Sequence, residues 1–174
     1  MEKEFFVALD IETDGLNYEP TNGEVANIIK ISAIKFYKNG KIKGRIYRLI
    51  KPPKPISESV EIITKITNKK LRFKLKDKWA LKGLKRFVKN ATIVGYNMSF
   101  TLGFLKFYGK KYGLEFNNKT IDVYPLIKEK FPELKSYSVS KIAQYLSINR
   151  QLKEKYFDVE VIMKLHQKLL NNYV

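Results

Sequence analysis

Apolar and polar positions along the chain fall into short blocks of two different periods. The opening block EFFVALDIET is a dense apolar run ending in acids. It predicts a buried strand whose carboxylates lie at the C-terminal edge, where α/β sheets gather their ligands. A polar loop around residues 17–27 separates it from the strand-like IIKISAIKFY. Asn39-Gly40 is a strong hairpin signal, and KIKGRIYRLI returns as a third strand, so strands one to three are expected to be antiparallel. Pro52, Pro53 and Pro55 end that pattern. Ser57 and Ser59 then offer caps for a short amphipathic helix in SESVEIITKIT.

The second half changes to helical spacing. Residues 69–89 place Trp79, Leu81, Leu84, Phe87 and Val88 at intervals that suit a helix resting on a core. ATIVGYN reads as a strand feeding a helix with Phe100, Phe104, Leu105 and Tyr108 on one face. A strand running into a helix sets Asn97 to Thr101 at the same sheet edge as Asp10. TIDVYPLIKEKF gives a short strand and a helix capped by Asp122. SVSKIAQYL and EKYFDVEVIMKLHQKLL close the chain as helices, the last with Phe157, Val161, Leu165 and Leu169 at core spacing. The expectation is an α/β fold: a mixed five-stranded sheet, flanked by helices, within one domain over residues 1–174.

Composition narrows the classes. At 174 residues, 44% hydrophobic and 13% aromatic, the chain can bury a core and is not a disordered one. No apolar run is long enough to cross a bilayer, and MEKEFFVALD lacks a basic stretch followed by a secretory apolar core. No membrane partner and a cytoplasmic location are therefore expected. The absence of cysteine removes disulfides, thiolate metal sites and a cysteine nucleophile, and a lone His166 leaves little histidine chemistry.

Charge adds a partner. Lys and Arg total 34 against 17 acids, a net charge of +17, and such a field draws polyanions. A compositional bias explains why 29 of the basic residues are Lys. It explains the shortage of acids less well, so nucleic acid is the expected partner. Residues 69–89 hold ten Lys/Arg against one acid, Asp77. That run is either a solvated helix face or a set of phosphate contacts.

Asp10 and Glu12 flank Ile11 on the first strand, so both carboxylates point to one face and repel. A divalent cation relieves the repulsion, although two solvated acids at a strand end would carry the same pattern. The continuation Thr13-Asp14-Gly15-Leu16 carries more information. FVALDIETDGL resembles the first motif of the DEDDh 3′-5′ exonucleases, the superfamily that includes proofreading exonucleases. PISESVEIITKIT, VGYNMSFTLGFL, TIDVYPL, PELKSYSVSKIAQYLSI and FDVEVIMKLHQKLL are similar to its later motifs in the same order. The branch accompanying Gram-positive-type replicative polymerases is the most similar. The resemblance implies an RNase H-like exonuclease fold.

It also implies four carboxylates that hold two divalent ions, which activate a water and neutralise the scissile phosphate. Carried onto this chain, Asp10, Glu12 and Asp158 are the catalytic and metal-ligating acids, with Mg2+ or Mn2+ as cofactor. Three positions depart. Thr101 stands at the motif-two aspartate, and its neutral hydroxyl is a poor ligand for a hard dication. Lys153 stands at the general-base histidine; a lysine beside carboxylates keeps its proton and cannot act as that base. Its ammonium, if it reaches Asp10 or Asp158, competes with the metal. Lys30 stands where the family carries Glu on the second strand. His166 lies eight residues past Asp158 and does not substitute. The tyrosine-type arrangement finds Glu154 at its position, while Tyr156 lies two residues before the aspartate.

Thr13, Leu16, Asn97, Phe100, Thr101 and Lys153 are the nucleic-acid-binding candidates, against plain core packing for Phe100. Asp14 is expected to face solvent rather than to supply the missing acid. Metal occupancy is expected to be one ion or none. The functional expectation is a nucleic-acid-binding member of the superfamily, engaging a single-stranded 3′ end, with catalysis impaired or lost. The alternatives are an active metal-dependent exonuclease and a non-catalytic interaction subunit. A DNA polymerase or helicase is the expected protein partner.

Overall fold

The computed structural model describes residues 4–19, 25–149 and 151–170. Three long strands, β1 (Phe5–Thr13), β2 (Ile28–Tyr37) and β3 (Ile42–Leu49), open the fold. Helices α1 (Glu58–Thr64), α2 (Asn68–Leu71) and α3 (Asp77–Val88) follow, then β4 (Thr92–Gly95), α4 (Met98–Tyr112) and β5 (Thr120–Asp122). The chain finishes with α5 (Val123–Lys130), α6 (Val139–Tyr145), a 3-10 turn over Glu154–Tyr156 and α7 (Phe157–Leu170). The sheet order is β3-β2-β1-β4-β5, with β1, β2 and β3 antiparallel and β4 and β5 parallel to β1 and β4 respectively. The five-stranded mixed sheet and the antiparallel first three strands match the sequence expectation.

β1 sits at the centre and alternates its side chains between two cores. Val7, Leu9 and Ile11 pack with Leu81, Leu84, Phe104 and Leu105 under α3 and α4. Phe6 and Ala8 pack with Val123, Ile142, Val161 and Leu165 under α5, α6 and α7. The same alternation continues to Asp10 and Glu12, which therefore emerge on the α7 side. At the β2–β3 hairpin, Gly40 takes a left-handed φ of +83°, and its amide donates to the Tyr37 carbonyl at 2.7 Å. A side chain there is doubly excluded, since a Cβ would fall 2.0 Å from the Gln167 amide of α7.

Asp122 joins two helix starts. Its carboxylate accepts from the Tyr124 amide at 3.0 Å, which caps α5 as expected, and from the Asn97 and Met98 amides at 3.0 and 2.8 Å. One charged cap thus fixes where α4 leaves β4.

Some local expectations are corrected. Residues 69–89 form two helices with an extended step between them, because the amide of Lys51 donates to the Leu75 carbonyl and draws that segment beside β3. Trp79 is 59% exposed; Ala80, Leu81, Leu84 and Val88 form the buried face of α3 instead. No residue of α1 is buried, and Ile62 and Ile63 are 70% and 79% exposed. Part of the loop over 17–27, residues 20–24, lies outside the described residues. Among the described residues no helix is long and apolar enough to cross a membrane.

His166 is buried between Phe6 and Phe36, at ring distances of 4.5 and 5.7 Å, and neither ring nitrogen has a hydrogen-bond partner. Burial lowers its pKa from 6.5 to about 4. The folded state therefore holds it neutral, so stability is full above its unfolded value near 6.5 and is lost as pH falls from there toward about 4. Replacing His166→Leu should remove this slope. Between pH 7.5 and 4.5 the wild type should lose on the order of 2 kcal/mol more than the variant in urea denaturation. Equal pH dependence of the two proteins would show that His166 does not titrate on unfolding.

Candidate acidic centre and its lysine

Strand register builds the site. In the β1–β2 pairing Glu12 stands opposite Lys30 and Asp10 opposite Ser32, so all four side chains share the α7 face. The register shifts between Glu12 and Thr13, which turns the chain away directly after the second acid. Asp158 lies in the first turn of α7, which packs on β1. Carboxylate oxygens of Asp10, Glu12 and Asp158 lie within 4.8 Å of one another. The three acids named from sequence do converge.

Lys30 occupies the space among them. Its Nζ lies 3.1 Å from Asp10 Oδ2, 3.2 Å from Glu12 Oε1 and 3.7 Å from Asp158 Oδ2, and the residue is only 8% exposed. The Lys30–Glu12 contact is a hydrogen bond. The contact to Asp10 Oδ2 is as close, an ion pair at 3.1 Å. Burial pushes the Asp10 carboxyl up to about 7; Lys30 opposes this, while Asp158 and Glu12 reinforce it. For Lys30, burial alone favours the neutral amine. The three carboxylates outweigh it and hold the ammonium above its ordinary range. One buried cation thus balances part of a like-charge cluster that is only partly removed from water.

Lys153 is not that cation. It sits on extended backbone before the 3-10 turn, is exposed, and forms no ion pair with Asp10, Glu12 or Asp158. Glu160 explains its placement. That buried carboxylate accepts from the amides of Gln151 and Leu152 at 2.6 and 3.0 Å and pins the loop to α7, while Lys164 donates to the Asn149 carbonyl. Arg150, within the 149–155 stretch, lies outside the described residues.

The remaining sequence candidates lie at the end of β1 and the loop after it and at the start of α4, which follows β4, the strand paired parallel with β1. Thr101 is buried in the first turn of α4, at 4% exposure. Phe100 is half-buried against Phe104 at 5.0 Å, a packing role. Asn97 is exposed with a left-handed φ of 56° and accepts from Ser99 Oγ at 3.0 Å. Thr13 Oγ1 donates to the Gly15 carbonyl at 2.6 Å, and Leu16 is 82% exposed. Asp14 does not face free solvent: its carboxylate accepts from the amide and side chain of Asn27 at 2.5 and 2.8 Å, so the fold has already committed it.

A groove of about 820 Å³ opens beside the cluster. Glu12, Lys30 and Asp158 line it together with Tyr47, Lys65, Lys70 and Lys155. Lys155 Nζ stands 5.3 Å from the ring centres of both Tyr47 and Tyr156. Thr13, Leu16, Asn97, Phe100, Thr101 and Lys153 do not line this groove. Sequence reasoning missed Tyr47 and Glu160. Tyr47 lies outside the motifs, and Glu160 lies within FDVEVIMKLHQKLL without being its expected acid; their placements arise from cross-strand register and from a helix-to-loop contact.

A family model, RNase_T, described as Exonuclease, matches residues 7–153. The chain is 30% identical over 169 residues to a PolC-type DNA polymerase III of Caldanaerobacter subterraneus subsp. tengcongensis, covering 94% of this chain and 12% of that protein. It is 27% identical over 174 residues to the DNA polymerase III subunit epsilon of Aquifex aeolicus, covering 97% of this chain and 83% of the relative. The chain spans about a tenth of the length of the PolC-type relatives it matches. Product-bound exonuclease I superposes with a TM-score of 0.82 at 17% identity, over 98% of this chain and 44% of that one. The nuclease domain of 3′hExo, a DEDDh family member bound to rAMP, superposes with a TM-score of 0.75 at 14% identity, over 98% and 94%. These likenesses bear out the exonuclease fold expected from the motifs.

The ammonium among the acids makes a measurable prediction. Lys30→Met leaves three carboxylates uncompensated and should destabilise the protein by about 2–4 kcal/mol in EDTA. Millimolar Mn2+ should then raise the variant's Tm by several degrees while leaving the wild type unchanged. A wild-type Tm that rises equally with Mn2+ would show that Lys30 does not hold the site against a metal.

Proposed function

The chain belongs to the RNase_T exonuclease family, and on that premise we propose that it is a nucleic-acid-binding member whose 3′-5′ exonuclease chemistry is impaired or lost. The observation that carries this reading is the Lys30 ammonium, 3.1 to 3.7 Å from all three acids of the cluster. Asp10, Glu12 and Asp158 offer the hard oxygen donors that Mg2+ or Mn2+ prefers. The space is nevertheless taken, because a dication near those oxygens must displace an ammonium that the same oxygens hold charged. With Lys30 in place the set does not fit a metal, and no step is routed through one.

The other positions support the reading. Thr101 brings no fourth carboxylate, and Lys153 brings no base. Removing a general base alone typically costs about 10² to 10⁴ in rate. Binding asks less of the site: a groove bordered by Lys65, Lys70 and Lys155, with an open edge of Tyr47, suits the phosphates and bases of a single-stranded 3′ end. Residues 1–174 act in this reading as one unit, since both cores share one sheet. A DNA polymerase is the protein partner we infer from the PolC-type and epsilon relatives.

A 5′-labelled single strand incubated with the purified chain and Mg2+ or Mn2+ should remain intact to within the background of the Asp10→Ala variant. The triple variant Lys30→Glu, Thr101→Asp, Lys153→His should gain metal-dependent shortening from the 3′ end. If the unmodified chain already shortens the strand and Asp10→Ala abolishes this, the chain is an active exonuclease and the reading falls.

A further inference from the structure

The segment that links α2 to α3 and the first turn of α3 leave large apolar side chains open to solvent. Phe73 is 86% exposed, Trp79 59% and Leu75 49%. Three exposed apolar groups within seven consecutive residues mark a binding surface more often than isolated ones do. Their exposure follows from the fold. α3 spends Ala80, Leu81, Leu84 and Val88 on the core, which leaves Trp79 on the outer side. The contact from the Lys51 amide to the Leu75 carbonyl, 3.0 Å, holds the preceding residues as an added edge beside β3. Phe73, Lys74 and Leu75 there join Tyr47, Arg48 and Leu49 around a recess of about 330 Å³. Tyr47 also lines the acidic groove, so the two hollows meet at that residue.

Charge narrows the occupant. Asp77, the acid among the ten bases of residues 69–89, is turned toward α4: its carboxylate accepts from Tyr112 Oη at 2.5 Å and lies 3.9 Å from Lys111 Nζ. It does not offset the outer face. Each exposed ring carries a cation, Arg72 at 5.1 Å from the Phe73 ring and Lys82 at 5.1 Å from Trp79. Flat apolar rings interleaved with cations match a ligand whose flat bases alternate with phosphates. A duplex hides its base faces, and an acidic peptide has no regular series of rings to stack.

We propose that Phe73, Leu75 and Trp79, with Arg48, Arg72 and Lys74, form a second binding face for single-stranded nucleic acid, outside the acidic groove and adjoining it at Tyr47. The inference rests on the nucleic-acid-binding part of the reading above and is independent of whether the chain cleaves.

Trp79 is the sole tryptophan of the chain, so it reports on this face directly. Fluorescently labelled oligo(dT) and oligo(U) are titrated with the full chain, following label anisotropy and, in parallel, tryptophan emission. Quenching of Trp79 with the Kd seen by anisotropy is expected for at least one of them, and the tighter one names the ligand. Phe73→Ala should weaken binding by about 5- to 50-fold, the loss of one stacked base. Replacing Arg72 and Lys74 together with Ala should reduce the slope of log K against log salt by roughly 1.4, two phosphate contacts on a single strand. If anisotropy rises while Trp79 emission and the Phe73→Ala affinity stay unchanged, the strand uses the groove alone; the second face is then refuted and the functional reading stands. No anisotropy change with either strand refutes both. Polyglutamate that quenches Trp79 and competes as well as oligo(dT) makes this face an acidic-protein dock and refutes the proposal.

Discussion

A single ammonium decides how the centre of this fold is balanced. Asp10 and Glu12 are forced onto one face by strand alternation, and Asp158 is brought against them by the docking of α7. Three carboxylates within 4.8 Å of one another repel strongly in a region partly removed from water. Lys30 arrives from the neighbouring strand and makes that arrangement tolerable. Because it is directly opposite Glu12 in register, no loop or helix has to move to deliver it. The seam between β1, β2 and α7 can therefore close with a cation supplied by the chain itself.

That internal balance has a functional side. A site that depends on an exchangeable ion changes its charge when the ion binds or leaves, whereas a lysine tethered to β2 is present in every folded molecule. The acids remain assembled, and the groove beside them keeps its shape. Around the groove the charge is positive again, through Lys65, Lys70 and Lys155. Architecture and charge suited to a polyanion thus persist beside a cluster whose own cation is built in.

Much of the surrounding detail serves to hold α7 and its approach in place. Glu160 is buried at 1% exposure and spends both carboxylate oxygens on the loop before α7, a use that resembles an N-terminal cap in reverse. Asp122 ties the starts of α4 and α5 together, and Asp14 closes the loop after β1 on Asn27. In a chain with 17 acids against 34 bases, these carboxylates are employed as local fasteners. Few are left to offset the basic surface of α2 and α3.

The elements of the sheet, the convergence of Asp10 and Glu12 and the cap at Asp122 were legible from sequence, because alternation, helical spacing and capping are set by residues a few positions apart. The family motifs carried the reading as far as Asp158. Lys30 was visible only as a residue where an acid was expected, and competition with the metal was assigned to Lys153. Which lysine stands among the acids depended on the register of β1 on β2 and on the path of the loop pinned by Glu160, both of which join residues far apart in the chain. Asp14 and Trp79 were misplaced for the same reason: the Asn27 partner and the outward side of α3 exist only after the loop folds back and the helix chooses its core. Local periodicity therefore determined what the pieces are, while long-range register and packing decided which charge meets which.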